Sequence, residues 1–156
     1  MTIELIVNGV RHRVPAGDDD LLLDVLRTQA GATSVREGCG VGACGACTVL
    51  ADGHSVSSCL ARAVRYDGAR ITTADGLPGD DPVVEAFVTR RAMQCGYCIP
   101  GFVLMSHELL DENPDPSDEE IAGHLEGNIC RCGTYQEIVA AVRDASRKTD
   151  VKGESA

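Results

Sequence analysis

Hydrophobic and polar residues alternate from the start of the chain. Ile3, Leu5 and Val7 form one face of a strand, Asn8-Gly9 supplies a two-residue hairpin turn, and Val10, His12 and Val14 alternate back. After Pro15 and the acidic run Asp18–Asp20, residues Leu21–Ala30 predict a helix. Acidic residues lie at its positive end and Gly31 can stop it. Its stripe is Leu22, Val25, Leu26 and Gln29. Thr48–Leu50 predicts a short strand ending at an Asp52-Gly53 turn, and Asp67-Gly68 marks a turn before a strand around Arg70–Thr73. Two hairpin elements and one early helix predict a mixed sheet packed on a helix.

The pattern changes at Ala74-Asp75-Gly76-Leu77-Pro78-Gly79-Asp80, a linker composition. Beyond it the apolar period is helical. Asp81 is placed to cap a helix with Pro82 in its first turn, and Val84, Phe87 and Val88 share a face. Pro100 is placed to start a second helix carrying Val103, Leu104 and Met105 and ending near Asn113-Pro114. Ser117-Asp118-Glu119-Glu120 has capping-box spacing ahead of Ile121 and Leu125. Thr134-Tyr135-Gln136-Glu137 repeats it ahead of Ile138 and Val142. The tail from Lys148 to Ala156 is polar and expected to fray. A β-rich half followed by four short helices predicts an α+β chain of two domains.

Domains of such size bury a modest share of their surface and are often marginal without a staple. With no Trp, two Phe and three Tyr, neither half has a large aromatic core, so a bound metal would matter to folding. The formal charge of −10 argues against nucleic acid, which needs a basic footprint. No apolar stretch approaches the ~20 residues of a membrane span. The N-terminus Met1-Thr2-Ile3-Glu4 is strand-like rather than a secretory signal, so a cytoplasmic location with reduced thiols is expected.

The eight cysteines fall into two groups of four. The first is Cys39-x4-Cys44-x2-Cys47, closed by Cys59 after eleven residues. This is the plant-type spacing in which four thiolates hold a [2Fe–2S] cluster. Gly38, Gly40, Gly42 and Gly45 surround its cysteines. Three thiolates converging from one loop demand backbone angles open mainly to glycine. The alternatives are zinc, which more often takes paired Cys-x2–4-Cys knuckles, and a small-residue loop with incidental thiols. The second group is Cys95-x2-Cys98, then thirty-one residues, then Cys130-x-Cys132. Spacing alone leaves zinc and, for Cys95 and Cys98, a redox disulfide open beside a second cluster. Cys98 and Cys132 both precede expected helix starts, where N–H groups and the helix dipole favour thiolates.

His12, His54, His107 and His124 are scattered, and Arg131 lies between two candidate ligands, where it can raise a cluster's potential, meet a phosphate or be simply solvated. No Ser/His/Asp or Cys/His nucleophile set, phosphate loop or dinucleotide fingerprint stands out, so no catalytic residue is expected on this chain. Two four-thiolate sites point to movement of single electrons. A free-standing two-cluster ferredoxin and a zinc-bound interaction module are the rival readings.

Three runs carry a resemblance: Glu37-Gly38-Cys39-Gly40-Val41-Gly42-Ala43-Cys44-Gly45-Ala46-Cys47-Thr48, Gln94-Cys95-Gly96-Tyr97-Cys98-Ile99-Pro100-Gly101 and Gly127-Asn128-Ile129-Cys130-Arg131-Cys132. In this order they resemble the iron–sulfur small subunit of the molybdenum hydroxylases, relatives of xanthine dehydrogenase. The resemblance implies a plant-ferredoxin-like β-grasp domain over 1–76 and a four-helix [2Fe–2S] domain over 77–150, and the polar residues 151–156 beyond it are expected to form a disordered tail. It implies two [2Fe–2S] clusters, on Cys39, Cys44, Cys47 and Cys59 and on Cys95, Cys98, Cys130 and Cys132. Gln94 and Cys132 would lie near a molybdopterin held by a large partner subunit. Electrons would leave towards FAD on a medium subunit or towards another acceptor. The chain departs from the usual pattern at Ile99, where many relatives carry Thr, and at Gly133-Thr134, whose order is swapped.

Overall fold

In the computed structural model, which describes residues 1–153, the opening alternation forms the expected hairpin. Strand β1 (Thr2–Val7) pairs antiparallel with β2 (Val10–Pro15) in the register Val7 to Val10 and Thr2 to Pro15. Asn8 and Gly9 both take positive φ, +51° and +81°, the twist that two-residue hairpin turns need. Ile3, Leu5 and Val7 are buried, whereas Val10 on the edge strand is exposed.

Helix α1 (Leu22–Thr28) buries Leu22, Leu23, Val25 and Leu26. Leu23 replaces Gln29 on the expected stripe. Gln29 sits at the helix end and donates to the Pro15 carbonyl at 3.1 Å. Strands β3 (Thr48–Ala51), β4 (His54–Ser57) and β5 (Arg70–Thr72) complete a five-stranded mixed sheet of order β2-β1-β5-β3-β4. Only the β1–β5 pair is parallel. All four residues of β3 are buried, because the C-terminal half lies against β3 and β4.

After a 3-10 turn at Ala74–Gly76 comes α2 (Pro82–Thr89). The Asp81 carboxylate accepts from the N–H groups of Val83 and Val84, both at 3.0 Å, as its cap position predicts. The buried face is Val83, Ala86 and Phe87, and Val88 points to solvent. This corrects the expected Val84–Phe87–Val88 face: α2 packs on the final helix through an i, i+3, i+4 stripe that begins one residue earlier. Helix α3 (Ile99–Glu112) starts one residue before Pro100, with Cys98 at its N-cap. Helix α4 (Asp118–His124) has a complete capping box. Glu120 N–H donates to Ser117 Oγ at 3.2 Å, and Ser117 N–H donates to Glu120 Oε2 at 2.7 Å. These bonds hold the Glu120 carboxyl below the usual carboxylate range.

Helix α5 (Tyr135–Gly153) continues through the polar stretch expected to fray, since backbone bonds carry a helix past the end of its apolar stripe. Of the expected tail over 151–156, residues 151–153 are helical and 154–156 lie outside the described residues. The apolar core forms two clusters. One gathers Ile3, Leu5, Leu22, Leu26, Val49 and Ile71 around the sheet, the other Phe87, Phe102, Ile121, Ile138 and Val142 among the helices. Among the described residues no helix is long and apolar enough to cross a membrane.

Candidate metal centres

The first cysteine loop lies between Val35, buried against α1, and β3. Arg27 on α1 donates to the Val35 carbonyl at 2.6 Å and fixes the loop's entrance. Gly40, Gly42 and Gly45 all take positive φ, which lets Cys39, Cys44 and Cys47 turn towards one another. Cys59 comes from beyond β4. The neighbouring Ser58 donates its hydroxyl to the Cys47 carbonyl at 2.6 Å, drawing the two segments together.

The thiols meet in pairs. Cys39 and Cys44 are neighbours, as are Cys47 and Cys59. Cys39 is exposed and Cys44 half-buried, while Cys47 and Cys59 are buried. The site therefore has an outer pair and an inner pair. N–H groups of Val41 and Ala43 donate to Cys39 Sγ at 3.4 and 3.2 Å. These bonds, with the contact to Cys44, lower the Cys39 thiol to about 7. Burial pushes the Cys59 thiol up.

The second set repeats this arrangement on different scaffolding. Cys95 contacts Cys132, and Cys98 contacts Cys130. Cys95 is exposed and Cys132 half-buried, whereas Cys98 and Cys130 are buried. Two helix starts are brought together here. Phe102 on α3 meets Tyr135 on α5 edge to face at 6.3 Å, and the Tyr135 hydroxyl accepts from Cys130 N–H at 2.9 Å. The Tyr97 N–H lowers the Cys95 thiol. Burial raises Cys130, but the hydroxyl and N–H of Thr134 outweigh it and leave that thiol at about 7.

Cys98 does not behave as its helix-start position predicts. Burial, followed by contact with Cys130, pushes it up to about 12, and its own N–H contributes only a small opposing effect. A metal cation displaces such a proton outright.

All eight cysteines are free thiols. Among the described residues, no three or more His, Cys, Asp or Glu side chains gather as a single-ion site. The thiols come together instead as neighbouring pairs. A [2Fe–2S] cluster asks for this, since its two irons share four thiolates between them. The all-sulfur donor set and the N–H groups aimed at sulfur fit such a cluster. His107 Nε2 instead lies 3.0 Å from Asp81, and His124 Nε2 3.5 Å from Glu108.

The two sites open on one cleft. Cys39 and Cys44 line it from one side, Cys95 and Cys98 from the other, with Arg131 among them, around a volume of about 230 Å³. Beneath the cleft the halves are in close contact. Ile129 N–H donates to the Cys44 carbonyl at 3.0 Å, and the buried Asn128 side chain donates to the Gly45 carbonyl at 3.4 Å. A Cβ on Gly101 would lie 2.1 Å from that same Gly45 oxygen. Asn128 and Gly101 are structural members of the site that spacing arguments missed, although both lie in the conspicuous runs. Gln94 is exposed beside Cys95.

Comparison with known proteins agrees with this geometry. Residues 5–71 match the family described as "2Fe-2S iron-sulfur cluster binding domain", and residues 73–143 the one described as "[2Fe-2S] binding domain". The chain is 45% identical over 148 residues to the nicotinate dehydrogenase small FeS subunit of Eubacterium barkeri, covering 93% of this chain and 94% of that one. Its fold superposes on a chain of quinoline 2-oxidoreductase from Pseudomonas putida 86 with a TM-score of 0.90 and 36% identity, covering 99% of this chain and 98% of that one. It matches aldehyde oxidoreductase from Desulfovibrio desulfuricans with a TM-score of 0.90 and 43% identity, covering 98% of this chain but 17% of that much longer one.

Proposed function

We propose a function from one premise: the chain belongs to the iron–sulfur small subunits of the molybdenum hydroxylases, the family that includes xanthine dehydrogenase. It is the electron-transfer subunit of such an oxidoreductase. It passes electrons singly from a molybdopterin site on a large partner subunit towards FAD on a medium subunit or another acceptor. The substrate is bound and oxidised on another chain.

The observation that carries this reading is the pairing of the thiols around one shared cleft. Cys39, Cys44, Cys47 and Cys59 hold the first [2Fe–2S] cluster, and Cys95, Cys98, Cys130 and Cys132 hold the second. Such clusters, when bound, accept and release one electron at a time. The chain's own part is to supply thiolates, direct N–H groups at sulfur and keep the inner pairs away from water. Gln94 and Cys132 face the partner's molybdopterin, a role that their place at the outer side of the second site supports. The junction between the two domains falls at Gly76–Leu77, between the two apolar cores. A reducing compartment, the cytoplasm, suits eight free thiols.

The deciding experiment is anaerobic EPR on dithionite-reduced protein, with iron and acid-labile sulfide assayed in the same sample. Two distinct S = ½ signals with about four irons and four sulfides per chain are expected. A colourless, zinc-containing chain would overturn the reading. Copurification with a large molybdopterin subunit, after expression with the neighbouring genes, tests the partner.

A further inference from the structure

Three contacts join the two cysteine loops at their outer side, away from the buried seam of Gly45, Gly101 and Asn128. Arg36 Nη1 donates to the Gly96 carbonyl. The same guanidinium lies over the Tyr97 ring, with Cζ 5.3 Å from its centroid. The Tyr97 hydroxyl in turn donates to the Glu37 carbonyl at 2.6 Å. Each loop thus gives a donor to the other and accepts one back. The positions are telling: Arg36 and Glu37 lead directly into Gly38 and Cys39, whereas Gly96 and Tyr97 are the two residues between Cys95 and Cys98.

The energies involved are small. One exposed cation–π contact and two hydrogen bonds at the surface add little to the stability of the chain. The two apolar cores dwarf that sum, and Tyr97 remains about half exposed. Stability therefore does not explain the arrangement, but geometry does. The seam fixes the inner side of the contact at Cys44 and Gly45. A second tie, at the level of the outer thiols Cys39 and Cys95, stops the two halves from rocking about that seam.

We propose that Arg36 and Tyr97 form a clasp of positioning residues that sets the separation and orientation of the two cysteine sites, and through them the rate at which an electron passes from one cluster to the other. The clasp rests on the two-cluster reading above. It acts through backbone position and touches no substrate.

The test uses the full chain purified with its clusters. Iron and sulfide are assayed first, so a chain without two clusters counts against the two-cluster reading before the clasp is measured. In the loaded protein, EPR reads the magnetic splitting between the two reduced centres, and freeze-quench reduction reads the rate of exchange between them. Arg36→Gln and Tyr97→Leu should retain full iron, lose part of the splitting and exchange electrons more slowly than the unaltered chain. Tyr97→Phe, which keeps the ring under the guanidinium and loses only the bond to Glu37, should lie between these and the unaltered chain. If Tyr97→Leu loses iron, the loaded Tyr97→Phe and Arg36→Gln chains decide. Unchanged splitting and rate in fully loaded variants would overturn the clasp, as would loss of the second cluster in all three.

Discussion

In the N-terminal half, Cys39, Cys44 and Cys47 sit within nine residues of one loop, and eleven residues separate Cys47 from Cys59. In the C-terminal half, Cys95-x2-Cys98 must find Cys130-x-Cys132 across thirty-one residues. Closing the longer loop costs only about 1 kcal/mol more, because closure entropy grows with the logarithm of length. Chain length is thus not what separates the sites. The first is shaped by backbone freedom, with three glycines at positive φ. The second adds packing to two such glycines, Gly96 and Gly133, with two helix starts clamped by Phe102 and Tyr135. Two solutions reach the same result, an outer and an inner pair of thiols.

The sharpest way to break this comparison is Cys132→Ser. It should abolish the second EPR signal and stop electron flow from molybdenum while the first signal remains. Loss of both signals would show that the sites depend on each other for assembly. Next in size is Gly101→Ala, whose new methyl group meets the Gly45 carbonyl. It should cost about 1–3 kcal/mol as an overpacked contact and lower the thermal midpoint. Since it strikes the seam between the halves, both cluster signals should broaden.

Tyr135→Phe deprives the part-buried Cys130 N–H of its partner. It should destabilise the chain by about 1–3 kcal/mol, and a redox titration should find only the second cluster's potential moved. Smallest is Arg131→Met. Removing a cation from the cleft disfavours the more negative reduced clusters, so potentials should fall, by less than the ~59 mV that corresponds to tenfold in a one-electron ratio. Because both thiol sets line that cleft, a shift confined to one cluster would show that Arg131 serves a single site.

What could be read in the sequence follows the same division. Local signals were legible: the Asn8-Gly9 hairpin, the Asp81 cap with Pro82, the Ser117 capping box and the first cysteine loop all sit within a few residues of their partners. Strand β4 leaves no such signal, because His54-Ser55-Val56-Ser57 is a polar edge strand held by pairing with β3 rather than by an apolar stripe. The apolar pattern of α2 fits two registers one position apart, and packing on α5 and α3 chooses between them. Thr134 directly precedes α5, where a cap stands, and what its spacing does not reveal is that its hydroxyl lies 3.1 Å from Cys130 Sγ. The contacts of Arg36, Gly101 and Asn128 link residues tens of positions apart, and no periodicity records them.

The inner thiols Cys47, Cys59, Cys98 and Cys130 have between 2% and 7% of their surface exposed. Once both halves have closed, these four thiols are out of reach of any bulky donor of iron and sulfide. A chain supplied with iron and sulfide while still open should therefore fill both sites faster than one supplied after folding.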